Sequence, residues 1–146
     1  MRKKEIIIEI IIFLHVLLFL YAAGSKLTVY DTFIAQMGKS PLLTGFTHTL
    51  AWLVPSVEII IAIMLIIPRF RLVGLYAAFG LMVLFTFYII SILTISKELP
   101  CSCGGVLSML GWREHLVFNI GFVLLGLTGI ILMHKKREEQ REFVAA

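Results

Sequence analysis

Apolar residues fall into four long runs separated by polar breaks. Residues 6–23 are interrupted by Glu9 and His15, and residues 50–67 by Glu58 and Pro55. Residues 72–95 and 116–133 carry no charge. Each run has at least 18 residues, close to the roughly 20 that a helix needs to cross about 30 Å of hydrocarbon. Backbone inside lipid must satisfy its own hydrogen bonds, which predicts helices. The alternation of a membrane barrel is absent. The pattern predicts an all-α protein, an integral membrane four-helix bundle forming a single transmembrane domain over residues 1–146.

The connections differ. Residues 68–71 can only join antiparallel neighbours. Residues 24–49 have room for a short interfacial helix over 27–37, before the break at Gly38-Lys39-Ser40-Pro41. Residues 96–115 hold both cysteines, and the tail after Met133 reads as a solvated helical end. The first run has the basic start of a signal peptide, but it is longer than a signal core and three further runs follow, so it reads as a retained helix. Gly74 and Ala78 have the spacing that lets membrane helices approach closely.

Composition sharpens this picture. Hydrophobic residues make up 60% of the chain and charged residues 15%, with a mean hydropathy of +0.99. A small soluble domain cannot hide such a surplus. The net charge of +4 is no footprint of nucleic-acid binding, because the bases cluster beside the apolar runs. Nine of the thirteen Lys and Arg fall at the amino terminus, in the 68–71 turn and in the tail, and four in the other two connections. That bias predicts both termini in the cytoplasm of a multi-pass protein of the bacterial inner membrane. Trp52 and Trp112 map to the opposite boundary.

The only two cysteines stand one residue apart in Pro100-Cys101-Ser102-Cys103-Gly104-Gly105, on a connection expected to face the oxidising side. A disulfide needs Cα atoms about 4.4–6.8 Å apart, so an i, i+2 ring requires a bent backbone, which the glycines permit. So small a loop contributes little as a staple, and strained, exposed disulfides exchange readily. Redox exchange is the leading reading. A Cu(I) or shared zinc site, assisted by His115 or His48, and an inert bridge stand beside it.

Polar groups at membrane depth call for partners. His15 and Glu58 both fall near the midplane, which suggests a hydrogen bond or ion pair between them; the alternative is a protonated Glu58 bonded to a backbone carbonyl near Pro55. Lys26, just past the first run, is expected to snorkel outward, or to lower a cysteine pKa if the connections pack together. His115 and Asn119 share a helix face. His115 is a candidate acceptor of a thiol proton, or else an interfacial histidine beside Trp112. Glu9 is expected to be solvated.

Tyr21-Ala22-Ala23-Gly24-Ser25-Lys26-Leu27, the Phe33…Met37…Ser40-Pro41-Leu42 stretch and Pro55-Ser56-Val57-Glu58 resemble the DoxX-like membrane proteins. With the Cys-Ser-Cys-Gly-Gly segment and Trp112…His115-Leu116…Asn119, the chain is similar to their MauE branch. That resemblance implies a redox-associated membrane protein linked to disulfide chemistry beside a periplasmic thioredoxin-fold partner. It implies Cys101 and Cys103 as the redox pair, with Lys26, Glu58, His115 and Asn119 as supporting polar residues. Four-helix redox proteins of the vitamin K epoxide reductase and DsbB types use two cysteine pairs. A single pair needs either direct contact with a quinone or a partner that supplies further thiols. A non-catalytic DoxX-like assembly or scaffold subunit and a copper-handling membrane protein are the alternative readings.

Overall fold

The computed structural model describes residues 2–38, 45–95 and 112–146. Five α-helices follow in order: α1 (Arg2–Thr28), α2 (Tyr30–Gly38), α3 (Thr47–Ile66), α4 (Arg71–Ile95) and α5 (Trp112–Ala145), with a 3₁₀ turn at Pro68–Phe70 between α3 and α4. No strand occurs among the described residues. Helices α1, α3, α4 and α5 are long and apolar enough to cross a membrane, so the four expected spans are present.

Their boundaries extend beyond the apolar runs, most of all in α1 and α5. Helix α1 continues past residue 23 to Thr28, whose hydroxyl donates back to the Gly24 carbonyl at 2.7 Å. The short helix begins at Tyr30 instead of Leu27, because α1 occupies those residues and only Val29 separates the two. Helix α5 absorbs the mixed-charge tail and runs 34 residues, about 51 Å at 1.5 Å per residue. It therefore outreaches the hydrocarbon.

The four long helices form a closed ring, each packed on the next in the order α1, α3, α4, α5 and back to α1. Three ion pairs fix the end where α1 begins and α5 finishes: Lys4 with Glu139, Lys136 with Glu5 at 3.2 Å, and Arg71 with Glu9 at 2.6 Å. Glu9 is thus paired as well as exposed. We call this the terminal end, and the opposite one the distal end. The turn between α3 and α4 lies at the terminal end; α2, the last turn of α4 and the first turn of α5 lie at the distal end.

Helix α1 shows why the ring closes. One face presents Ile6, Ile7, Ile10, Phe13, Leu17 and Leu20 outward, and the other buries Ile8, Ile11, Ile12, His15, Phe19, Ala22, Ala23 and Lys26. Its two basic residues beyond the terminal end, His15 and Lys26, lie on the inward face, the arrangement lipid demands. Hydroxyls elsewhere are satisfied within their own helices: Ser56 donates to the Trp52 carbonyl, Thr86 to Met82 and Thr128 to Leu124.

Small residues bring the terminal half together. A Cβ on Gly74 would stand 3.1 Å from Leu65 Cδ2 and 3.2 Å from the Leu65 backbone nitrogen, and one on Gly129 would stand 3.1 Å from Ile11 Cγ2. Ala78, on the same α4 face as Gly74, is fully buried. The result is an apolar core of Ile8, Ile11, Ile12, Leu65, Leu75 and Ile130. At the distal end α2 lies against α3, with Phe33 on Ala51 and the Tyr30 and Trp52 rings 5.3 Å apart.

Candidate functional site

The distal half of the interior is built differently. Lys26 continues the inward face that Phe19, Ala22 and Ala23 form before it, and burying it lets its chain run back into the bundle. Its Nζ donates to Glu58 Oε1 at 2.6 Å, with the two side chains 9% and 0% exposed. The expected snorkelling of Lys26 is therefore overturned: a carboxylate waits inside, and a paired cation in a closed bundle needs no water. The same contact corrects the expected partners of Glu58, because it meets neither His15 nor a backbone carbonyl but Lys26.

His15 instead bonds through Nδ1 to the Ile11 carbonyl at 2.8 Å, one turn back on its own helix. Its ring meets Phe122 edge-on at 5.2 Å, and Nε2 faces α5 where a Cβ on Gly126 would stand 3.5 Å away. Lys26 lies eleven residues further along α1, about 16 Å by helical rise. His15 thus occupies its own layer near the middle of the bundle, among aromatic rings.

Helix α5 brings two more polar residues. His115 and Asn119 share the inward face and are buried, 6% and 4% exposed. His115 lies within electrostatic reach of the Lys26 ammonium. It is an interior residue, not the interfacial histidine of an aromatic belt. Helix α4 contributes the Phe85 ring, 5.4 Å from Lys26 Nζ, a cation–π contact that partly replaces lost water. Glu58 Oε2 and Asn119 Nδ2 make no hydrogen bond among the described residues. Such atoms are scarce in native interiors and costly to bury.

Of the residues expected at the site, the structure brings Lys26 and Glu58 into contact, sets His115 near Lys26, and holds Asn119 one turn deeper on the same α5 face. His15 stands apart. Cys101 and Cys103 lie outside the described residues, on the connection that leaves α4 at Ile95 and enters α5 at Trp112. His48 is exposed, and no group of three or more His, Cys, Asp and Glu able to hold a metal occurs among the described residues. Phe85 and Phe122 escaped the reading of the sequence, because nothing distinguishes a ring that touches a cation from other phenylalanines of an apolar run.

An ammonium, a carboxylate, an imidazole and an amide held out of water can orient one another and exchange protons. The family of methylamine utilisation protein MauE matches residues 4–132. No curated protein and no solved structure matches the chain.

Proposed function

The chain belongs to the MauE family, and from that premise we propose that this multi-pass membrane protein exchanges thiols and disulfides through Cys101 and Cys103. In this reading the terminal end faces the cytoplasm of a bacterial inner membrane, where the basic clusters hold it, and the cysteine connection faces the periplasm. The observation that carries the reading is the pair itself: the only two cysteines of the chain, one residue apart, between helices that end and begin at the distal end.

The partner is a periplasmic thioredoxin-fold protein. One thiolate of the pair attacks the partner's disulfide, forming a mixed disulfide and releasing one partner thiolate. The second cysteine then attacks the mixed disulfide, so a Cys101–Cys103 bond forms as the partner leaves with two thiols. Two electrons pass to the partner, and the reverse sequence returns them. When the reverse sequence has left the pair reduced, a membrane quinone that accepts its two electrons and two protons would restore the disulfide, as would a second partner in its disulfide form. His115, in the first turn of α5, is the candidate acceptor of a thiol proton.

Single Cys101→Ser and Cys103→Ser variants in intact cells test this. One of them should accumulate a mixed disulfide with a soluble periplasmic protein, seen as a band that reductant removes. An impermeant thiol reagent should label the wild-type pair only after reduction. Labelling that requires permeabilised cells, or full function in the Cys101→Ser/Cys103→Ser double variant, would overturn the reading. The latter result favours a scaffold subunit; copper retention lost with the cysteines favours a copper-handling protein.

A further inference from the structure

We propose that Glu58, held by Lys26, is a proton-binding site inside the membrane that opens only toward the distal end of the bundle. The inference rests on described residues alone and stands independently of the cysteine chemistry.

Three observations converge. Glu58 spends one oxygen on Lys26, while the other, Oε2, is fully buried and makes no hydrogen bond among the described residues. That leaves an acceptor lone pair in an apolar interior, which a proton would satisfy. Next, polar side chains line only one approach. From the distal end inward come His115 and then Asn119, about 4.5 and 10 Å from the start of α5 by helical rise. Lys26 lies in that half on α1, and its side chain reaches inward to Glu58, just past the middle of α3. Finally, the other approach is sealed. Among the described residues no buried polar or charged side chain lies between His15 and the terminal end. That stretch is filled by Ile8, Ile11, Ile12, Leu65, Leu75 and Ile130, with helix contacts as tight as those of Gly74 and Gly129.

The step balances simply. A hydronium ion gives its proton to Glu58 Oε2, an O–H bond forms, and water is released. Lys26 stays an ammonium, so the neutral pair becomes singly positive, and the Phe85 face holds the cation when the carboxylate charge is gone. The groups around Glu58 are few. Helix α1 presents Lys26 and, deeper, His15; α5 presents His115. Helix α4 carries no charge in this half and has Tyr88 as its titratable residue. Helix α2 adds Tyr30 and exposed Asp31, and α3 itself exposed His48. Lys26 alone contacts the carboxylate among the contacts described.

Infrared difference spectroscopy on the full-length chain, reconstituted in one orientation in phosphatidylcholine vesicles, tests the site. Acidifying the compartment at the distal end should produce one carboxylic acid band per chain, absent in Glu58→Gln and shifted in Glu58→Asp. Acidifying the terminal compartment should produce it about tenfold or more slowly. In Lys26→Met, which leaves the carboxyl without its cation, the band should already be present at neutral pH. A band that survives Glu58→Gln, equal response from both compartments, or no protonated carboxyl in Lys26→Met would overturn the proposal. Where Glu58→Gln fails to fold, the Glu58→Asp shift assigns the band.

Discussion

A lysine meets a glutamate at each end of this bundle, and the two meetings have opposite physics. Lys4 and Glu139 join α1 to α5 at the terminal end with side chains 38% and 41% exposed. Lys26 and Glu58 join α1 to α3 in the distal half with almost none. Water and salt screen the first pair, which makes such contacts weak. The second lies where desolvation and Coulomb attraction are both large and nearly cancel. Neighbours differ accordingly. Beside the terminal pair stand two further ion pairs and free tail charges; around the distal one stand Phe85, His115 and Asn119. The terminal end looks built to set orientation, and the distal half to hold a charge that lipid would otherwise reject.

The largest expected effect breaks the distal pair by halves. Glu58→Leu alone should destabilise the bundle by about 3–5 kcal/mol, because it leaves an uncompensated buried charge. Lys26→Met should cost less, because the stranded carboxyl takes up a proton. The Lys26→Met/Glu58→Leu double variant should recover most of that loss. Unfolding in detergent by stepwise denaturant reads all three. If the double variant loses as much as the sum of the singles, the two residues do not act as a pair.

Next comes the apolar seal. Gly74→Leu should cost about 1–3 kcal/mol by overpacking, since the nearest atoms include the Leu65 backbone nitrogen, which cannot swing aside. A wild-type melting profile would show that α3 and α4 approach less closely there than the structure indicates.

Smallest is the terminal set. Arg71→Gln should cost about 1 kcal/mol or less, and what it costs should shrink as salt rises. Lys4→Ala should change stability less than Lys26→Met and should instead weaken the basic bias that sets orientation. An accessibility assay on the tail at Arg141 reads that bias. A salt-independent loss in Arg71→Gln as large as that of Lys26→Met would erase the distinction between the two ends.

The run of apolar residues determined the spans by itself. A helix of about 20 residues is the cheapest way to carry backbone through hydrocarbon, so length and hydropathy suffice, and the 3₁₀ turn at Pro68 follows from proline after an apolar run. The same letters marked His15, Lys26, Glu58, His115 and Asn119 as the polar residues whose placement mattered. They could not pair them. Spacing along one helix says which residues share a face, but pairing across helices depends on rotation, depth and side-chain reach. His15 and Glu58 looked matched in depth, yet the Lys26 side chain runs back along α1 and reaches the carboxylate first. Only the packed bundle decided that contact, the Phe85 ring beside it and the apolar seal beneath, because each depends on which face of one helix meets which face of another.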